Sequence, residues 1–174
     1  MKKFTILGTG WLGFELAKSF KDLYKIKVSS RNEEKLKIYE DEGLSSYVLN
    51  ENHMESLDEL LDTDYLFINF PPSKFDDYLS FLNKIYEHKK IKDIEKIIFI
   101  SSTSVYPNIE GFFNEEFEIE NSSSKIVYEA EKLVLNKSDI IFRVSALVGA
   151  NRVSGRRLSH KVVEYPKSVI NFVH

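Results

Sequence analysis

Residues 4–13 read FTILGTGWLG, an apolar run followed by three glycines at G-x-G-x-x-G spacing and the start of an amphipathic stretch. Between a strand and a helix, each glycine has a separate physical task. Gly8 permits the tight turn, Gly10 lets backbone amides approach a pyrophosphate, and Gly13 lets the helix lie close to the strand. The helix N-terminus then directs its unpaired N–H groups at the phosphates. Trp11 and Leu12 fill the turn, with Trp11 at the first helical position, half-buried over the site.

Outward from this turn, short β-rich runs alternate with longer helical patterns. Strands are predicted over 3–7, 25–30, 45–49, 65–70, 95–101 and 139–145, several of them almost continuously apolar, as parallel strands buried on both faces must be. Helices are predicted over 11–21, 32–42, 74–89 and about 122–137. In 74–89, Phe75, Tyr78, Leu79, Leu82, Ile85 and Tyr86 recur at three- and four-residue steps, which reads as a core-facing stripe. Strict alternation implies βαβ units in an α/β fold: a Rossmann doubly wound parallel sheet of order 3-2-1-4-5-6, helices on both faces. The stretch 107–125, with Pro, Gly, acids and a serine run, reads as a loop.

The chain has 174 residues, enough for one domain spanning 1–174. A content of 43% hydrophobic and 29% charged residues is that of a globular protein, and a net charge of −3 gives no basic excess for a nucleic-acid partner. Without cysteine there is no disulfide, thiolate metal site or cysteine nucleophile. The MKKFTIL start is broken by Gly8 and Gly10, unlike a signal peptide, and no run reaches the ~18 apolar residues of a membrane span. The expectation is a cytoplasmic protein with no membrane partner.

At the end of the second strand stand Ser29, Ser30, Arg31 and Asn32, where an NAD-selective site would place an acid on the ribose hydroxyls. Hydroxyls followed by a guanidinium suit a 2′-phosphate instead, so the pattern favours NADP over NAD. Asn50 and Glu51, at the end of the third strand, are placed to reach an adenine. His53, His88, His160 and His174 show no metal-ligand spacing. The most basic patch, Arg152 to Arg157, reads as a solvated loop or as a contact for a substrate phosphate.

At the end of the fifth strand, residues 100–107 read ISSTSVYP. This segment resembles that of the extended short-chain dehydrogenase/reductase family, the nucleotide-sugar epimerases, dehydratases and reductases. FINFPPS (67–73), NEEF (114–117) and FRVSALVGANR (142–152) extend the resemblance over nearly the whole chain. Leu7 stands where the family's commoner G-x-x-G-x-x-G turn has its first glycine, which with the Pro pair resembles the atypical branch. The resemblance implies Ser102 as the catalytic hydroxyl, with Asn69, Pro71 and Ser101 bordering the cofactor. It also implies a small-molecule substrate of the nucleotide-sugar kind and a homodimer formed through helices 74–89 and 122–137. The last residues, SVINFVH, resemble a segment that in the family precedes a C-terminal substrate-binding region, expected to be largely absent here.

The family's chemistry uses a Tyr-x-x-x-Lys pair, whose spacing puts both side chains on one helix face. The lysine lowers the phenol's pKa for proton exchange with the substrate. One literal match exists, Tyr128 to Lys132, but only ten residues separate Lys132 from Arg143. A second register fits the helix length better: it aligns Lys125 with the lysine and Glu129 with the acid one turn later, leaving Asn121 at the tyrosine position. Three functions follow: an NADP-dependent oxidoreductase or epimerase, a non-catalytic dinucleotide-binding sensor or remnant, or a reductase of another Rossmann class. ISSTSVY argues against the third.

Overall fold

The computed structural model describes residues 1–149, 151–153, 162 and 171–174. Six strands, β1 (Lys3–Leu7), β2 (Lys25–Ser30), β3 (Ser45–Val48), β4 (Tyr65–Ile68), β5 (Lys96–Ser102) and β6 (Ile140–Val144), form one sheet in the order β3-β2-β1-β4-β5-β6. Every neighbouring pair is parallel, as read from the sequence. The helices are α1 (Trp11–Phe20), α2 (Leu36–Asp41), α3 (Leu57–Leu60), α4 (Tyr78–Tyr86) and α5 (Lys125–Val134). A short parallel pair, β7 (Ala146–Leu147) and β8 (Phe172–Val173), lies outside the main sheet.

Side-chain alternation divides the core between the two faces of the sheet. Phe4, Ile6, Val28 and Phe67 pack with Ala17 of α1 and Tyr39 of α2. Leu7, Leu66, Ile68, Ile97 and Phe99 pack on the other face with Leu60 of α3, Phe81, Leu82 and Ile85 of α4, and Ala130 and Val134 of α5. Each central strand thus buries both of its faces, which is why β1 and β4 read as apolar runs.

The departures from the predicted elements have local causes. Helix α3, in the connection between β3 and β4, was not predicted; its four residues are too few for a periodic signal, and Leu57 and Leu60 fix it to the core. The helix expected over 74–89 begins only at Tyr78. Pro71 and Pro72 hold the preceding chain in a 3-10 turn (Pro72–Lys74), and Asp77 caps α4 by accepting the Ser80 N–H at 3.0 Å. Phe75 therefore sits before the helix, stacked on Phe81 at 4.6 Å between ring centroids. Likewise 32–42 opens as a 3-10 turn (Glu33–Lys35) before α2. No helix among the described residues is long and apolar enough to cross a membrane.

Candidate functional site

The β1–α1 turn is built as its glycines require. Gly8 has φ +80°, and a Cβ there would lie 2.6 Å from Phe70 Cδ1 and 2.7 Å from the Asn69 carbonyl oxygen. A Cβ on Gly13 would meet Ile6 Cγ2 at 3.0 Å, so its absence sets how closely α1 approaches β1. Gly10 differs: a Cβ there would meet nothing within 4 Å, because it faces open space. The turn is pinned from behind by the Ser29 hydroxyl, which accepts the Gly8 N–H at 3.0 Å, and by the Thr9 N–H bonded to the Ser29 carbonyl at 2.8 Å. Buried Tyr39 donates its hydroxyl to the Thr9 carbonyl, and burial pushes its pKa up, so it remains a neutral donor. Nothing in the sequence period singled out Tyr39 for this task.

In front of Gly10 lies a cavity of about 590 Å³ at the C-terminal ends of the strands. Helix α1 points its N-terminus there with Gly10 as N-cap, without a side-chain cap and without an acid in its first turn. The Phe14 N–H bonds back to the Gly10 carbonyl, and the Gly8, Thr9 and Gly10 N–H groups are bonded within the turn or to Ser29, so the amides left to meet an anion are those of the first helical turn, Trp11, Leu12 and Gly13. Trp11 and Leu12 also line the cavity, and the buried Trp11 indole N–H has no acceptor among the described residues. The charged side chains lining the cavity, among the described residues, are Arg31, Lys35, Lys74 and Arg152, all cationic. An anionic, elongated ligand fits such a wall; its middle would meet the glycine turn and its charged groups the cations.

The structure brings Gly8, Gly10, Trp11, Leu12, Ser30, Arg31, Asn69, Pro71, Ser101 and Ser102 to this one cavity. Asn69 crosses to the turn, its side-chain amide donating to the Gly8 carbonyl at 3.4 Å. Asn50 does not line it. Its side-chain amide donates to the Arg31 carbonyl at 3.1 Å, and its side-chain oxygen accepts the N–H groups of Asn52 and His53 at 2.9 and 3.1 Å. Asn50 thus shapes the turn after β3, and Glu51 accepts the N–H groups of Asp76 and Asp77 at 3.2 and 2.7 Å. Both borders belong to a separate, smaller cavity of about 290 Å³.

At the other end of the main cavity, Ser101 and Ser102 close β5. Ser101 donates to the Glu131 carboxylate, which also takes the guanidinium of Arg143 through Nη2 at 2.9 Å and Nε at 3.1 and 3.2 Å. Sheet register puts Arg143 directly beside Ser101. Glu131 is 7% exposed at its side chain, so this pair is the charged link between α5 and the sheet. Arg143 Nη1 reaches the Tyr106 hydroxyl at 3.1 Å, which in turn donates to the Asn114 carbonyl at 2.9 Å. The Ser102 hydroxyl oxygen accepts the Ser104 N–H at 3.1 Å, leaving its proton available to the cavity.

The expected tyrosine–lysine pair is not brought into this cavity. Helix α5 contributes Val127 and Ala130 to its wall, and its buried face also carries Glu131 and Val134. At about 100° per residue, Tyr128 is turned to the flank of that face and Lys125 and Lys132 away from it. The Lys132 ammonium lies 5.4 Å from the centroid of the Tyr128 ring and 3.7 Å from the Glu129 carboxylate, as an ordinary surface neighbour. Lys125 is exposed at the first turn of α5, and Asn121 is exposed in the loop before it. None of Lys125, Tyr128 and Lys132 lines the cavity, and the acid that α5 buries is Glu131, two positions beyond Glu129. The Ser123 hydroxyl donates to the Ser104 carbonyl at 2.7 Å. The apolar spacing Val127, Ala130, Val134 with Glu131 on the same stripe was the signal in the sequence that pointed to this buried face.

Of the basic patch, Arg152 lines the cavity, with its guanidinium 5.5 Å from the Trp11 ring centroid, whereas Arg156, Arg157 and His160 lie outside the described residues. Among the described residues no three His, Asp or Glu side chains form a group able to hold a metal.

No protein-family model matches the chain. Among solved structures, it superposes on a functionally unknown conserved protein from Silicibacter pomeroyi with a TM-score of 0.75 at 18% identity, over 100% of this chain and 64% of that one. A protein from Methylobacillus flagellatus described by its resemblance to NAD-dependent epimerases/dehydratases gives 0.73 at 20% identity, over 99% and 65%. UDP-glucuronic acid 4-epimerase from Bacillus cereus, solved with NAD and a substrate analogue, gives 0.69 at 16%, over 88% and 59%. The nucleotide-sugar epimerase/dehydratase fold read from the sequence is thus the fold of these neighbours, of whose length the chain spans under two thirds. At the sequence level, protein YeeZ of Escherichia coli K12 is 30% identical over 189 aligned positions, covering 100% of this chain and 69% of YeeZ. By that match the chain belongs to the family of protein YeeZ.

Proposed function

We propose that the chain binds a nicotinamide dinucleotide, NADP(H) in preference to NAD(H), in the cavity before the glycine turn, and holds it without a tyrosine–lysine proton relay. The observation that carries the reading is the turn itself. Gly8 and Gly13 are required by backbone geometry and packing, whereas Gly10 is required by neither and leaves space for a ligand against the open helix N-terminus. Ser30 and Arg31, with no acid at the end of β2, support the phosphorylated cofactor. NAD-bound neighbours of the same fold support a dinucleotide in general.

Trp11 is the sole tryptophan of the chain and lines the cavity, so its emission reports occupancy. Titration with NADPH is expected to quench it saturably, with little accompanying turnover of UDP-sugars. Absence of quenching and of binding by calorimetry, for both dinucleotides, would refute the reading. A catalytic alternative, an epimerase or reductase acting on a nucleotide-sugar, is favoured by Ser102, whose hydroxyl borders the cavity. It requires a proton carrier other than Tyr128. A homodimer through α4 and α5 belongs to the same proposal, supported by the exposed Ile126 and Leu135.

A further inference from the structure

The segment between β4 and α4 forms one wall of the main cavity, through Asn69, Phe70, Pro71, Pro72 and Lys74. It has little backbone structure of its own. Pro71 and Pro72 carry no N–H, and the Lys74 and Phe75 N–H groups bond only back to the Pro71 and Pro72 carbonyls, at 3.2 and 3.1 Å. The next two N–H groups, of Asp76 and Asp77, stand just ahead of α4 and have no earlier helical carbonyl to meet. Both go to one side chain on another loop: Glu51, after β3, accepts Asp76 through Oε2 at 3.2 Å and Asp77 through Oε1 at 2.7 Å. A carboxylate is also the group that a helix N-terminus favours.

From these two bonds an unbroken run of contacts leads to the glycine turn. Phe75, next to the bonded amides, stacks on Phe81 at 4.6 Å and meets Phe70 edge-on at 5.4 Å between ring centroids. Phe70 is held by the Tyr78 hydroxyl, which donates to its carbonyl at 3.1 Å, and lies where a Cβ on Gly8 would be. The residue before Glu51 braces the neighbouring segment: Asn50 donates to the Arg31 carbonyl at 3.1 Å, while Arg31 Nη1 donates to the Lys74 carbonyl at 2.7 Å. No residue of the turn after β3 lines the main cavity among the described residues, yet this turn is bonded to two of the segments that do.

We infer that Glu51 is a positioning residue for the bound dinucleotide, acting through the β4–α4 segment without touching the ligand. The inference rests on the dinucleotide reading above and adds a residue from outside the cavity wall. The sequence placed Glu51 to reach an adenine; in the structure its two carboxylate oxygens are taken up by backbone N–H groups instead. Such charge-assisted bonds hold the proline-containing wall at one distance from the glycine turn. Coupling of this kind is reciprocal, so a dinucleotide resting on that wall also steadies the Asp76 and Asp77 amides.

The test pairs calorimetric binding of NADP and NAD with amide hydrogen exchange read by NMR, in wild type, Glu51→Ala and Glu51→Gln, with thermal unfolding as the check on folding. In wild type, saturation with NADP is expected to slow exchange at Asp76 and Asp77. Glu51→Ala should speed exchange at both amides and weaken NADP and NAD alike, by about tenfold. Glu51→Gln keeps an oxygen acceptor and should recover most of both effects. Weaker binding in Glu51→Ala with exchange at Asp76 and Asp77 unchanged would mean that Glu51 meets the ligand directly, and would overturn the inference. Faster exchange with unchanged affinity would make Glu51 a structural brace alone, with the same consequence. If neither variant folds, wild type still decides, since exchange at Asp76 and Asp77 that ignores bound NADP refutes the coupling. Each of these results leaves the dinucleotide reading intact, whereas wild type binding neither dinucleotide removes both.

Discussion

The two ends of the cavity were built on different terms. At the glycine-turn end the backbone does the shaping: a left-handed Gly8, a Gly13 in contact with Ile6, and hydrogen bonds from Ser29 and Tyr39 behind the turn. What faces the cavity there is open amide, indole and cation. At the β5–α5 end the polar groups are turned inward and spent on each other, as Ser101, Glu131 and Arg143 close a network that joins helix to sheet. Helix α5 then presents Val127 and Ala130 to the cavity. One end keeps its donors for a ligand, and the other uses its charges for the fold.

The sharpest way to break that contrast is at Glu131. Glu131→Ala leaves the Arg143 guanidinium, 22% exposed at its side chain, without its counter-charge. The expected loss is about 3–5 kcal/mol of folding stability, measured by denaturant unfolding. A loss below about 1 kcal/mol would mean that the network does not fasten α5 to the sheet. An Arg143→Met, Glu131→Met double variant should recover much of the loss, because it removes the buried charge instead of orphaning it.

At the opposite end two glycines separate fold from ligand. Gly8→Ala forces a Cβ onto Phe70 and the Asn69 carbonyl at positive φ, at an expected cost of about 1–3 kcal/mol and with loss of dinucleotide binding. Gly10→Ala meets no protein atom within 4 Å, so its stability should stay within about 0.5 kcal/mol of wild type while binding falls. Unfolding curves and Trp11 quenching on the same two variants read both quantities. Equal effects at Gly8 and Gly10 on both measurements would show that Gly10 does not serve a ligand.

How much the sequence disclosed follows the same division. β1 and β4 are apolar on both faces because helices cover both faces, so the sheet and its order could be read from FTIL and YLFI. The glycine turn was legible because positive φ and close approach leave few residue choices. Helix α3 left no trace, since four residues carry no period. The buried face of α5 was harder to read: the literal match Tyr128-x-x-x-Lys132 and the alternative through Lys125 and Glu129 both follow spacing alone, whereas Glu131, on the stripe of Val127, Ala130 and Val134, shows why it is buried only through a partner twelve positions away, across the helix–strand turn. Lys74 and Tyr39 reach the site through loops and helices whose placement depends on the whole sheet, so no local pattern marks them.

The smallest expected effect belongs to that literal match. Tyr128→Phe removes a hydroxyl from a half-buried ring beside Lys132, and Lys132→Ala removes an ammonium that is 57% exposed at its side chain and 3.7 Å from Glu129. Exposed i,i+3 pairs contribute little, so each change should alter stability by less than about 0.5 kcal/mol. Neither side chain lines the cavity, so dinucleotide affinity should be unchanged. The decisive form of the experiment screens wild type against UDP-sugars with each dinucleotide and carries any turnover found into both variants. Turnover that survives Tyr128→Phe would have to draw its proton from a hydroxyl the cavity does contain, with Ser102 the first to replace. Turnover abolished by Tyr128→Phe alone, with folding and binding intact, would show that α5 rotates to bring the pair inward and that the contrast between the two ends is not fixed.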